Sequence, residues 1–151
     1  MKKKPSKKTK GFSLIELLIV VAIILIIAAI AIPNLLRARR SANEGSATAS
    51  MRTLGSGELL YRSTNGNFTT LAGLLSDSII DNVLGSGTKS GYVFVAAAGG
   101  APDLQFTATG SPSVPTGPTQ TGARFFFTDE SQVVRFVVGA AADSTSSAIG
   151  N

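Results

Sequence analysis

Leu17-Leu18-Ile19-Val20-Val21-Ala22-Ile23-Ile24-Leu25-Ile26-Ile27-Ala28-Ala29-Ile30-Ala31-Ile32 is an uninterrupted apolar run, and the reading of the whole chain turns on it. Extended to Phe12 and Leu36, it gives a segment with one charge, Glu16. At ~1.5 Å per residue a helix over residues 12–36 spans ~37 Å, more than the roughly 30 Å hydrocarbon core of a bilayer. A helix also keeps its backbone hydrogen bonds internal, as lipid requires. The core helix of a soluble protein has an apolar stripe and a polar one; this run is apolar on every side. The sequence therefore predicts a membrane-spanning helix.

Lys2, Lys3, Lys4, Lys7, Lys8 and Lys10 precede the run, and Arg37, Arg39 and Arg40 follow it. Both flanks are basic, and the heavier N-terminal one favours a cytoplasmic N-terminus. The chain of 151 residues carries a formal charge of +5, from 14 Lys and Arg against 9 Asp and Glu. Without those six lysines, 8 basic residues face the 9 acidic ones, so the excess belongs to a tag-like end. The body gives no ground for nucleic-acid binding, and no sequence-specific contact of that kind is expected. His and Cys are both absent, which removes imidazole and thiolate catalysis, disulfides and the commonest metal ligands. No catalytic, cofactor-binding or metal-binding residues are expected, and an enzyme is not expected. Apolar residues make up 44% of the chain and charged ones 15%, which argues against a largely disordered protein.

A secretory signal also starts with basic residues and an apolar stretch, but this stretch is too long and no clear small-x-small cleavage site with a polar boundary follows it. The abrupt boundary comes earlier, at Lys10-Gly11-Phe12. Cleavage there removes a basic leader, residues 1–11, and leaves the apolar helix on the product. Gly11-Phe12-Ser13-Leu14-Ile15-Glu16-Leu17-Leu18-Ile19-Val20-Val21-Ala22-Ile23 resembles the N-terminal processing motif of type IV prepilins and their pseudopilin relatives. The resemblance continues through Ala31-Ile32-Pro33-Asn34 and covers about the first third of the chain. It implies that a prepilin peptidase cuts after Gly11 and methylates the new amino group of Phe12. It implies the pilin fold, α+β, with a long N-terminal hydrophobic helix against a small antiparallel sheet. It also implies a single-pass precursor in the bacterial inner membrane, and a helical homopolymer with apolar helices inside and heads outside. The implied partners are other copies of the chain, the membrane, the peptidase and an assembly machinery with its ATPase.

Glu16 and Pro33 stand out within the helix. A lone carboxylate in lipid costs several kcal/mol unless it is paired or protonated. One reading is that Glu16 snorkels to the headgroups. The other is that it pairs, in a filament, with the amino group that cleavage creates on Phe12 of a neighbouring subunit. No Lys or Arg lies between Phe12 and Leu36 to serve instead. Pro33 removes the hydrogen bond to the Ala29 carbonyl. It either stops the helix or kinks or locally melts it; helical patterning resumes afterwards, which favours the second.

Residues 37–62 read as the amphipathic half of the long helix, with Ala47, Met51, Leu54 and Tyr61 on one face. Gly45, Gly55 and Gly57 leave its end uncertain. Arg37, Arg39 and Arg40 read equally as a solvated face or as contacts to lipid headgroups. Residues 63–151 read as a globular head. A Gly/Ser/Asn-rich connection, Ser63–Ser90, contains helical pieces at Leu71–Leu75 and Ile79–Leu84. Strands are predicted at Tyr92–Ala97, Leu104–Ala108, Arg124–Thr128 and Val133–Val138, with Asp129–Gln132 as a hairpin loop. Thr109–Gly122, with three prolines and three glycines, reads as an exposed loop, and Ala140–Asn151 as a loosely ordered tail.

Several motifs fail on inspection. Gly85-Ser86-Gly87-Thr88-Lys89-Ser90-Gly91 lacks the glycine that a phosphate loop needs before its lysine, and reads as a turn. Asp77 and Asp81 are too few for a calcium site. Asn67-Phe68-Thr69 is a bare glycosylation tripeptide. The eight Phe and two Tyr sit mostly at strand spacing, as core residues do. Without cysteine, the chain cannot close the C-terminal disulfide loop of many pilins.

The expected function is a structural subunit of a type IV pilus. By resemblance, attachment, twitching motility and DNA uptake go with it. The alternatives are a pseudopilin of a type II secretion system and, from another class, a membrane-anchored binding protein that never polymerises.

Overall fold

A computed structural model describes residues 11–100 and 103–150. The lysine-rich leader, apart from Gly11, lies outside the described residues. The protein is α+β and falls into two units, one ending at Leu36 and one beginning at Arg37.

In the first unit, Gly11, Phe12 and Ser13 precede helix α1, which spans Leu14–Asn65. The helix starts two residues later than expected, because Ser13 is its cap. The helix is continuous through Pro33, so the expected local melting is not a feature of the isolated chain. Proline forfeits one hydrogen bond, and the turns on either side keep theirs. None of the most apolar 18-residue window of α1 is buried.

The second unit is built where α1 meets a sheet. Ala47, Met51 and Leu54, all on one helical face, are fully buried against Tyr92, Phe94, Phe106 and Phe126. Tyr61 packs at the margin of this core. The helix ends at Asn65, three residues beyond expectation, where Gly66 takes φ +82°. Gly55 and Gly57 do not end it. They are buried sites of close approach: a Cβ at Gly55 would lie 2.6 Å from Gln132 Oε1, and one at Gly57 would lie 3.1 Å from Ile79 Cγ2.

Two short helices follow, α2 at Leu71–Ser76 and α3 at Asn82–Gly85. The second begins three residues later than the pattern suggests, because Asp81 caps it by accepting the Leu84 N–H at 2.6 Å. A six-stranded antiparallel sheet completes the head in sequential order: β1 Thr88–Lys89, β2 Tyr92–Gly99, β3 Gln105–Pro112, β4 Arg124–Asp129, β5 Arg135–Val138 and β6 Ser147–Ala148.

Three expectations about the sheet need correction. Thr109–Pro112 is strand, not loop: β2 and β3 pair over eight residues, from Tyr92 opposite Pro112 to Gly99 opposite Gln105. Gly110 is required on the core face, where a Cβ would sit 3.1 Å from the Phe94 ring and 3.2 Å from Met51 Sδ. Pro112 is tolerated because β4 pairs with β3 only as far as Gly110, so that side of the strand needs no donor. Strand β5 starts at Arg135 rather than Val133, because the positive φ of Gln132 turns the chain late. The C-terminal segment is ordered: Ser147 and Ala148 pair with β5, and Ala142 is 9% exposed.

Candidate assembly site

Around Gly11 and Phe12 the backbone is non-helical and exposed. Among the described residues, no atom beyond its chain neighbours lies within 4 Å of the position a Gly11 side chain would take. Phe12 is 80% exposed and precedes the first helical turn.

Glu16 lies in that first turn. Its Oε2 accepts the Ser13 N–H at 2.9 Å, and the Leu17 N–H donates to the Ser13 carbonyl at 3.3 Å. Ser13-Leu14-Ile15-Glu16 therefore forms the glutamate half of a capping box, and the carboxylate also sits at the positive end of the helix dipole. To the two expected roles, snorkelling to the headgroups and pairing with a neighbour's Phe12, capping adds a third for Glu16. The serine three residues before it was a legible capping signal. In this chain residue 12 is still joined to Gly11, so it has no amino group to offer Glu16.

From Leu14 to Ile32 the large apolar side chains are exposed, Ile30 to 66%. A contiguous apolar surface of this size does not remain in water; it marks a membrane or a protein interface. Pro33 lies in the helix at the end of this surface.

The head adds a feature that the sequence did not reveal. Three residues of α1 hold the β3–β4 connection. Asn43 Nδ2 donates to the Thr121 carbonyl at 2.9 Å, and Arg40 Nη2 reaches the Gly117 carbonyl at 3.5 Å. Glu44 Oε1 accepts the Ala123 N–H at 2.8 Å, while its Oε2 is 3.5 Å from Arg124 Nε. The phenol of Tyr92 donates to the Arg124 carbonyl at 3.0 Å. Burial, and then the charge of Glu44, push its pKa well above the usual phenol range. Arg40 is thus part of the head's packing, whereas Arg37 and Arg39 are exposed.

Glu58 was also missed. It is fully buried; its Oε2 accepts the Thr69 N–H at 3.0 Å, and its Oε1 has no partner among the described residues. Burial raises its pKa, partly offset by the bond from Thr69.

The rejected motifs are used structurally. Asp81 caps α3 and pairs with Lys89 at 3.0 Å, while Asp77 lies at the other end of the connection, at the C-cap of α2. Among the described residues, no group of His, Cys, Asp or Glu is arranged to hold a metal. Phe68 of the Asn67-Phe68-Thr69 tripeptide is locked in the core, 4.9 Å from the Phe106 ring. A depression of about 280 Å³ between Arg52, Gln132, Val134 and Ile149 has one charged side chain in its lining.

An apolar N-terminal helix with its acid in the first turn is thus followed by a helix-backed antiparallel head. Residues 6–32 match the family model of the prokaryotic N-terminal methylation motif. The chain is similar to type IV pilins over part of their length. It is 34% identical over 145 residues to the type IV major pilin protein PilA of Myxococcus xanthus, a match covering 89% of this chain and 62% of that protein. It is 47% identical over 64 residues to the type IV wide pilus major component PilA4 of Thermus thermophilus, covering 42% of this chain and 49% of that protein. The chain thus spans about half to three-fifths of the length of these relatives.

Proposed function

We propose that the chain is a structural subunit of a type IV pilus, made as a membrane-anchored precursor and polymerised through its N-terminal helix. The observation that carries this reading is the apolar surface of residues 12–36, bare on every side, with Glu16 as its one charge.

In this reading a prepilin peptidase cuts the exposed Gly11–Phe12 bond and methylates Phe12. Cleavage frees an amine on Phe12, four residues before Glu16 and next to the Ser13 N–H that Glu16 accepts, and Glu16 exchanges that bond for the ammonium group of a neighbour. Methylation keeps that amine cationic. In a low-dielectric bundle, leaving either charge alone costs ~3–5 kcal/mol, so the pair sets the stagger between subunits. Pro33 marks where α1 can yield when subunits pack. The precursor crosses the inner membrane once with its leader in the cytoplasm, and an assembly ATPase drives its transfer into an extracellular filament.

Mass spectrometry of the chain in filaments sheared from the cell surface tests this. A chain beginning at methylated Phe12 in that fraction is expected. The same processed chain confined to the membrane fraction would point instead to a pseudopilin of a secretion system. A chain retaining its lysine-rich leader everywhere would overturn the processing step and the pairing built on it.

A further inference from the structure

Most basic side chains of the head have a partner within it. Lys89 pairs with Asp81 and Arg124 with Glu44. Arg62 lies over the Phe68 ring at 4.9 Å, Arg135 Nη1 donates to the Ser146 carbonyl at 3.1 Å, and Arg40 reaches the Gly117 carbonyl. Arg37, Arg39 and Arg52, all exposed, have no such partner among the described residues. Arg52 lines the depression beside Gln132, which leaves the two arginines at the base of the head.

Asp77 is a carboxylate in the same position. Its backbone N–H donates to the Gly73 carbonyl at 3.2 Å, but its exposed side chain accepts no hydrogen bond among the described residues. It stands in a depression of about 470 Å³, lined also by Leu60, Tyr61 and Thr64 of α1 and by Ile79 of the connection that follows α2. Leu60 is 56% exposed, so apolar surface is left open there. An apolar lining with one carboxylate suits a long basic side chain. The methylene stem lies on Leu60 and Ile79, and the charged head meets Asp77. Tyr61 adds an aromatic ring, a surface on which guanidinium groups stack.

Arg37 and this depression lie on opposite sides of α1. Thr64 follows Arg37 by about 27 residues, which is ~7.5 turns and ~40 Å of helix. Arg39 precedes Thr64 by about 25 residues, or ~7 turns, and shares its side. Arg37 therefore cannot reach Asp77 of its own chain. Two parallel copies standing side by side do meet through opposite sides of their helices. A pair so placed, and ~40 Å apart along the axis, joins each copy to one displaced along that axis. Such a contact is heterologous and does not close on itself.

We infer that the depression at Asp77 receives the Arg37 side chain of a second copy of this chain. The inference rests on the reading of the chain as a filament subunit, and it names a contact between heads in addition to that of Glu16.

The chain has no cysteine, so two introduced thiols report on this contact alone. The variant R37C/D77C is expressed beside the wild type, and filaments sheared from the cells are treated with a short bismaleimide. Covalent dimers and higher multimers are expected on a denaturing gel. R37C or D77C alone should give none, and R39C/D77C few. In a second measurement, Asp77→Arg or Arg37→Asp should lower the filament yield at least about tenfold. The swap R37D/D77R should recover it, and R39D/D77R should not. If the wild-type chain is itself missing from the sheared fraction, the filament reading falls and this contact with it. Wild-type filaments without an R37C/D77C cross-link, or full filament yield from D77R, would overturn the contact alone. Loss of R37D from the membrane fraction that D77R does not relieve would assign Arg37 to lipid headgroups and overturn it too. If the charge variants fail to accumulate, the cross-link decides.

Discussion

Replacing Glu58 with Gln should change how the head's stability depends on pH. Glu58 is enclosed in the core, one carboxyl oxygen bound to the Thr69 N–H and the other without a partner among the described residues. Its ionised form is therefore the costly one, and its folded pKa lies above 4.5, the value for the unfolded chain. Above that value the unfolded chain has released a proton that the folded chain still holds. Stability then falls as pH rises, until the pH passes the raised folded pKa and both states are ionised. Within that window the slope approaches ~1.4 kcal/mol per pH unit. Glu58→Gln keeps an acceptor for Thr69 and does not titrate. Asp81 and Asp143, whose pKa values are lowered chiefly by the bonds from the Leu84 N–H and the Thr145 hydroxyl, act at the other end. Their contribution is lost as pH falls through their folded pKa values below 3.8, and it cancels between variant and wild type. The assay is thermal unfolding of the detergent-solubilised chain, followed by near-ultraviolet circular dichroism from about pH 4 to about pH 8. The variant should gain on the wild type as pH rises, by roughly 4–8 °C for each kcal/mol in a head of this size. Parallel curves across the range would refute a buried, proton-retaining Glu58.

Glu16→Leu should insert in the membrane like the wild type yet be missing from sheared filaments, as immunoblots of the two fractions would show; normal filament yield would dismiss the proposed pair. Gly122→Ala should destabilise the head by about 1–3 kcal/mol in urea unfolding, because its methyl group would overlap the Tyr92 ring and push the phenol off the Arg124 carbonyl. Phe106→Ala should cost about 3–5 kcal/mol, since Phe106 is 1% exposed and packs on Phe68. Glu44→Ala should strip the Ala123 N–H of its partner, and hydrogen exchange at Ala123 should accelerate while that of Phe106 stays slow.

The apolar helix, its cleavage-like boundary and the buried face of Ala47, Met51 and Leu54 were legible because each rests on neighbours in sequence. So was the existence of the four longer strands, through their alternation and aromatic content. The two short strands were not, since Thr88–Lys89 and Ser147–Ala148 become strand only by pairing with β2 and β5. Thr109–Pro112 looked like loop because Gly110 and Pro112 are poor strand residues in isolation; eight-residue pairing with β2 and contact with Phe94 and Met51 outweigh that. Glu58 was not legible, because nothing beside it in sequence announced the Thr69 N–H that donates to it.

By itself the sequence determined a membrane-length helix with one acid in its first turn, a processing-like site before it and an α+β head behind it. These follow from hydropathy, periodicity and spacing, which are properties of contiguous residues. Only the tertiary structure decided that Gly55, Gly57 and Gly110 are close-approach sites, that Glu58 is buried, and that Asn43 and Glu44 hold a loop 78 and 79 residues further along the chain. The physical reason is that a lone side chain's cost of burial and the partners of a loop's backbone groups are settled by atoms that distant segments bring together, and one-dimensional pattern carries no record of them.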